Sequence, residues 1–265
     1  MCGIYGFVGN WDKGRKVALA KLMGLETMVR GKDSTGVFCA AKEDYFSYKW
    51  AVPANKFFTG KNLTKIAKII EKSTVFIGHN RMASIGQVNN ENAHPFMSNR
   101  YALVHNGTYQ KAVEEADKKG LHREGTTDSE AILANIENEG LGYLKTIYNS
   151  AIVLYDMEED CLYMMRSGNP LWVFRKDKRS FFFCSTKTIG NEVASNFGIE
   201  PSKVFEIKEN CLYKLINGKL KIVDKWEGVF YEKPSFIRRR RVETDRCAGR
   251  VSYGDWSRAL AVYGD

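Results

Sequence analysis

Close cysteine pairs, long apolar runs and glycine-rich phosphate loops are all missing from this 265-residue chain. Its six cysteines (Cys2, Cys39, Cys161, Cys184, Cys211 and Cys247) are scattered, and the four histidines lie apart from them in sequence. That spacing excludes a zinc ribbon or an iron–sulfur run and argues for a reducing compartment. No run approaches the roughly 18 apolar residues of a membrane span. Residues 1–14 lack the basic start and long apolar core of a signal peptide. The expectation is a cytoplasmic protein with no membrane partner. With no phosphate loop and no metal-spaced cluster, neither a metal nor an organic cofactor is expected.

What is present is globular in composition. Hydrophobic residues make up 44% and charged residues 27%, which excludes a disordered or collagen-like chain. A chain of this size buries roughly 70–75% of its unfolded surface and needs no disulfide staples. The net charge is +9, and much of it sits between Lys233 and Arg250, where seven Lys and Arg face only Glu243 and Asp245. Arg238, Arg239, Arg240 and Arg241 form the centre of that run. It reads either as a solvated tail or as a site for nucleic acid or an acidic partner subunit. No aromatic interleaving supports the nucleic-acid reading.

Residues 1–230 read as one domain and residues 231–265 as a basic C-terminal extension. Within the domain, β-rich runs occur at 4–8, 36–40, 75–79, 101–105, 151–155, 162–166, 171–174, 181–184 and 211–215. Helical patterns occur at 15–29, 63–71, 109–119, 128–139 and 188–196; in the first, Ala18, Leu22, Leu25 and Val29 recur at helical spacing. Short gaps between many of the strands favour antiparallel pairing. The expected class is α+β, with two stacked sheets covered by helices.

Several polar motifs punctuate this pattern. Cys2 is small enough for Met1 to be trimmed, which would leave one residue carrying both a thiol and a free α-amine, a nucleophile with its own base. The run from Arg30 through Gly31, Asp33 and Ser34 to Gly36 reads as helix C-cap and turn chemistry. Arg81 follows a β-rich run and should emerge at a strand end, where its guanidinium can fork a carboxylate. The alternative is a surface arginine beside two core histidines, His79 and His94. Asn106-Gly107 is either a hairpin turn or an oxyanion hole built from a side-chain and a backbone N–H. The helical pattern at 109–119 counts against the hairpin. Thr127 and Glu130 fit a capping box; the other reading gives Asp128 to a substrate ammonium.

The order of these motifs resembles the glutaminase domain of class II (N-terminal nucleophile) glutamine amidotransferases. The resemblance rests on Cys2-Gly3-Ile4 with Gly6, Arg30-Gly31 with Asp33-Ser34 and Gly36, residues 79–86, residues 92–95, His105-Asn106-Gly107 and residues 127–130. A looser match is Arg166-Ser167-Gly168-Asn169-Pro170-Leu171. The resemblance covers roughly residues 2–225 and implies a four-layer αββα sandwich. It implies that Cys2 is the nucleophile, its α-amine the base, and Asn106 with Gly107 the oxyanion hole. Arg81 would hold the α-carboxylate of L-glutamine and Asp128 its α-ammonium. Ser84 would touch substrate from the loop that closes over it, and Arg30, His79 and His94 would support the site. Met82 and Ile85 replace a Trp and a His of synthase-linked members, and Cys184-Ser185-Thr186 replaces an Ala-Ser-Glu or Ala-Ser-Asp run.

The implied reaction releases ammonia through a γ-glutamyl thioester that water cleaves to glutamate. Family members usually fuse this domain to one that consumes the ammonia, and the roughly 40 residues after the matched region are too few for that. The expectation is a glutaminase subunit that passes ammonia to a separate acceptor protein, with the basic extension as docking candidate. Two alternatives are a stand-alone γ-glutamyl amide hydrolase and a catalytically inactive binding protein whose Arg-rich tail holds nucleic acid.

Overall fold

Alternate residues of the first strand face two different interiors, and this alternation builds the molecule in layers. The computed structural model describes residues 1–42, 44–216 and 218–228. Its strands are β1 (Gly3–Val8), β2 (Ser34–Ala41), β3 (Asp44–Trp50), β4 (Val75–Arg81), β5 (Phe96–Met97), β6 (Tyr101–Gly107) and β7 (Ser150–Asp156). They continue with β8 (Cys161–Ser167), β9 (Trp172–Arg175), β10 (Phe181–Cys184), β11 (Lys203–Glu206), β12 (Cys211–Ile216) and β13 (Lys219–Lys225). The helices are α1 (Lys13–Glu26), α2 (Ala54–Phe57), α3 (Gly60–Lys72), α4 (Lys111–Lys118), α5 (Asp128–Glu139) and α6 (Lys187–Phe197).

Two sheets form, in the orders β11-β9-β10-β1-β4-β2-β3 and β13-β12-β8-β7-β6-β5, and every pairing is antiparallel. Ile4 and Val8 of β1 join Phe38, Ile77, Val104 and Val153 in a core between the sheets. Tyr5 and Phe7 point the opposite way and pack with Leu19 and Met23 of α1, Ile66 and Ile70 of α3 and Val193 of α6. The outer face of the second sheet, with Leu103, Ile152 and Leu154, packs on Ala112 of α4 and Ile132 and Ile136 of α5. Helix, sheet, sheet and helix therefore stack as an α+β sandwich in four layers.

Some local readings need correction. The helical pattern at 15–29 ends early: α1 stops at Glu26, and Thr27–Val29 form a 3-10 turn. Gly31 is not a left-handed cap; a Cβ there would lie 2.5 Å from the Arg81 backbone, so close chain passage requires glycine. Asn106 and Gly107 end β6 and form no hairpin turn. Glu130 does not close a capping box. Thr127 Oγ1 accepts the Glu130 N–H (3.2 Å), but the Glu130 carboxylate takes the N–H groups of Glu124 and Gly125 (both 2.8 Å). The 230/231 boundary, Cys247 and the run Arg238, Arg239, Arg240 and Arg241 lie outside the described residues.

The topology gathers chain ends at one edge. Gly3 pairs with Asn80 and Ser34 with Arg81, so the residues just before β1 and β2 meet the end of β4. The last residues of β6 and the first turn of α5 reach the same place.

Candidate active site

Cys2 stands one residue before β1 and is held at both ends. Its carbonyl accepts from Arg30 Nε (2.7 Å), and its sulfur lies 3.3 Å from both the N–H and the carbonyl oxygen of Met82. Burial pushes the Cys2 thiol above its ordinary pKa. The Met82 N–H, the terminal ammonium and Arg81 pull it back, while Asp128 adds to the rise. The ammonium nearest the thiol in this chain belongs to Met1, and it donates to Met82 Sδ (2.9 Å).

Arg81 ends β4 with its guanidinium under the following loop. It donates to the carbonyl of Gln87 (2.9 Å), to that of Ile85, and more weakly to that of Gly86 (3.4 Å). Asp33 braces the turn from the other side: its N–H donates to the Arg81 carbonyl (3.0 Å), and its Oδ2 accepts the Ala83 N–H (2.7 Å). Asn92, buried, ties this loop to the approach of α5. Its Nδ2 donates to the Gln87 carbonyl (3.1 Å), and its Oδ1 accepts the Thr126 N–H (2.9 Å).

Asp128 sits in the first turn of α5, where the helix dipole favours a carboxylate. Its Oδ2 accepts the Tyr109 N–H (2.7 Å) and its Oδ1 the Ser129 N–H (3.0 Å). A carboxylate offers about four lone-pair directions, so this leaves room for a further donor.

Three buried histidines underlie these groups. His105 lies between Ser129 Oγ and Ser150 Oγ (both 2.9 Å). The Ser150 hydroxyl donates to the Tyr148 carbonyl (2.9 Å), so it accepts from His105 Nε2–H, and His105 Nδ1 accepts from Ser129. His79 Nε2 donates to the His105 carbonyl (3.0 Å). His94 packs against His79 with ring centroids 3.9 Å apart and planes tilted by 33°, and neither of its nitrogens has a partner among the described residues. Burial, the largest influence on each, holds all three neutral: His79 is pushed down to about 3, His94 falls well below its ordinary value, and His105 is also lowered.

Asn106 is 1% exposed, yet its Nδ2 has no partner among the described residues. A buried donor left unmatched costs about 1–3 kcal/mol, so its retention needs a reason. It borders an open cleft of about 410 Å³ that Cys2, Met82, Ser84, Gly107 and Asn169 also line. A recess of about 10 Å³ adjoins it, lined by Cys2, Arg81, His94, His105 and Asp128. Cys2, Ser84 and Gly107 border both spaces. Arg30 and His79 stand behind them, Arg30 on the Cys2 carbonyl and His79 under His94. The site also relies on Asp33, Asn92, Ser129, Ser150 and Asn169, which motif reading did not single out. Asp33, Asn92, Ser129 and Asn169 lie inside the motif runs, while Ser150 carries no sequence signal.

A family model described as a glutamine amidotransferase domain matches residues 65–222. The chain belongs to the glutamine amidotransferase family. The matched span contains Arg81, Ser84, His94, Asn106, Gly107 and Asp128; Cys2 and Arg30 precede it. The glutamine–fructose-6-phosphate aminotransferase (isomerizing) of Streptococcus pyogenes is 32% identical over 197 residues, covering 65% of this chain and 30% of that protein. The chain thus spans about a third of the length of the curated relatives it matches.

Two solved structures share the fold. The Bacillus subtilis glutamine phosphoribosylpyrophosphate amidotransferase aligns with a TM-score of 0.68 at 17% identity, over 84% of this chain and 49% of that one. A class-II glutamine aminotransferase domain protein from Silicibacter pomeroyi aligns at 0.52 with 15% identity, over 84% and 98%. Among the described residues of this family member, no group of three or more His, Cys, Asp or Glu is arranged to hold a metal. No described helix is long and apolar enough to cross a membrane.

Proposed function

We propose that this chain hydrolyses the side-chain amide of free L-glutamine through an N-terminal Cys2 and passes the ammonia to a separate acceptor protein. The observation that carries the reading is the unmatched Asn106 Nδ2 beside the Cys2 thiol in one cleft, next to a recess holding Arg81 and Asp128. Removal of Met1 frees the Cys2 α-amine. Because burial raises the thiol pKa, ionisation at neutral pH needs a base at hand, and that amine is covalently adjacent.

The amine takes the thiol proton, and the thiolate adds to the amide carbon. The resulting oxyanion meets Asn106 Nδ2 and the Gly107 N–H. The amine returns the proton to the departing nitrogen, ammonia leaves, and a γ-glutamyl thioester remains on Cys2. Water then adds to the thioester, releasing glutamate and restoring the thiol. Arg81 exchanges its loop carbonyls for the α-carboxylate, a charge-assisted and two-pronged contact stronger than the bonds it replaces. Asp128 takes the α-ammonium, so a glutamine within a peptide is rejected. The setting on this reading is the cytoplasm, where the five described cysteines stay as free thiols.

Intact-mass measurement before and after a glutamine-mimicking diazoketone tests the nucleophile. Loss of the Met1 mass and a single adduct mapping to Cys2 are expected; a retained Met1 with no adduct overturns the reading. Arg81→Ala tests the clamp. Losing a charge-assisted contact should raise KM for glutamine roughly tenfold to a hundredfold, with a smaller change in kcat. An unchanged KM removes Arg81 from substrate binding.

A further inference from the structure

We propose that Asn169 is a positioning residue that aims the backbone N–H of Gly107 into the cleft, a role that rests on the oxyanion-hole reading above. Strand parity supplies the geometry. The Met157 N–H donates to the Arg100 carbonyl (2.8 Å), one step beyond the Tyr101↔Asp156 pair. Bonded and unbonded pairs alternate along an antiparallel ladder. The even-numbered residues of β6, Ala102, Val104 and Asn106, therefore exchange hydrogen bonds with β7. Odd-numbered residues turn their N–H and C=O groups to the other edge. There the Ser98 N–H reaches the Tyr101 carbonyl (2.8 Å) and His79 Nε2 reaches the His105 carbonyl (3.0 Å). Gly107 is odd-numbered, and β5 pairs no further along β6 than Leu103. Among the described residues, its N–H leaves on an edge that no strand covers.

The Asn106 carbonyl and the Gly107 N–H belong to one planar trans peptide and point in opposite directions. Fixing the carbonyl fixes the N–H. Register with Ala151 of β7 sets that carbonyl at the last turn of the ladder, where a strand end would otherwise rock. Asn169 Nδ2 adds a second bond to the same oxygen (2.8 Å) and also donates to the Asn149 carbonyl (2.8 Å), just before β7. One amide group thus ties the end of β6 to the start of β7.

Its seat is fixed in turn. Asn169 follows Gly168, which has φ +93° and where a Cβ would lie 3.2 Å from Asn149, and it precedes Pro170. Gly107 is itself confined: a Cβ there would lie 2.6 Å from the Asn149 carbonyl, His105 Nε2 and Ser150 Oγ. The peptide plate that carries the N–H is therefore held by Asn169 through its carbonyl and packed closely at Gly107 against Asn149, His105 and Ser150.

The test uses the full chain with Asn169→Asp, which keeps the shape but loses the donated hydrogens, and Asn169→Ala. Both are expected to lower kcat for glutamine roughly tenfold to a hundredfold, less than deleting a donor outright, with KM unchanged. The second readout is affinity for two ligands. Glutamate γ-semialdehyde adds the Cys2 thiol across its carbonyl and places an oxygen where the transition-state oxyanion develops; glutamate engages the α-carbon clamp without that bond. The variants should lose aldehyde affinity by the same factor as kcat and keep glutamate affinity. A merely structural role would weaken both ligands alike. Equal losses for both, or wild-type kcat in both variants, overturn the proposal and leave the Cys2 adduct and its reading standing. Absence of that adduct in the unsubstituted chain overturns both.

Discussion

Asn106→Ala is expected to lower kcat for glutamine hydrolysis by about 10²–10³-fold while leaving KM within about twofold. The side chain donates to nothing among the described residues, so its Nδ2 is available to the charge that develops on the amide oxygen. A donor already dehydrated and pointed needs no reorganisation when that charge appears, which is why one such bond counts for so much. The α-carboxylate and α-ammonium are held elsewhere on the proposed assignment, by Arg81 and Asp128, so ground-state binding should survive. The bonds that Asn106 makes through its backbone, to β7 and to Asn169, survive truncation as well. Removing an unmatched buried donor also relieves a desolvation cost, so the melting temperature should fall less than for an ordinary buried truncation. Steady-state kinetics with thermal melts decide the matter. A raised KM with unchanged kcat would move Asn106 from transition-state stabilisation to substrate binding.

Acid should weaken the fold well before the carboxylates are neutralised. An unfolded histidine takes a proton near pH 6.5, whereas folded His79 resists until about 3. His94 and His105 are displaced in the same direction, chiefly by burial, with Arg81 and Lys49 adding to the effect at His94 and Asp128 opposing it at His105. The unfolded state therefore binds more protons throughout this window. The contribution is fully present above about pH 6.5 and is lost as pH falls towards the folded values. For His79 alone the loss between pH 7.5 and 5 is about 2 kcal/mol, a large share of a domain's usual 5–15 kcal/mol. Urea midpoints across that range would measure it. His94→Leu removes one titrating group whose nitrogens bond to nothing among the described residues, so its pH slope should be shallower than that of the unsubstituted chain. Parallel slopes would sink the account.

Much of the fold was legible because buried strands carry their own signal. The runs at 4–8, 75–78 and 151–155 carry no charged or amide side chain, and each lies inside a strand buried on both faces. The strands passed over are different in kind. β3, β11 and β13 mix charged and apolar residues at sheet edges, and β5 is two residues long. Asn-Gly shows the limit of local reading. Read locally it is a hairpin turn, whereas at Asn106-Gly107 it closes a strand beside Cys2. The dipeptide's role there is set by the surrounding sheet, which continues β6 into the site and not into a returning strand.

The sequence by itself determined the layers and the inventory of reactive groups. Apolar runs joined by short gaps mark the buried strands, helical spacing marks the covering helices, and the motif order names Cys2, Arg81, Asn106 and Asp128. Tertiary structure alone decided which of those groups are already satisfied. Arg81 turns out to be occupied by three loop carbonyls, Asp128 by two N–H groups, and Asn106 Nδ2 by none among the described residues. It also decided which way the Gly107 N–H points, through the register of β6 on β7 and the reach of Asn169. The physical reason is that periodicity is a local property of the chain. Hydrogen-bond satisfaction depends on partners that folding brings from far along the chain, as Met82 is brought 80 residues to Cys2 and Ser185 181 residues to Ile4.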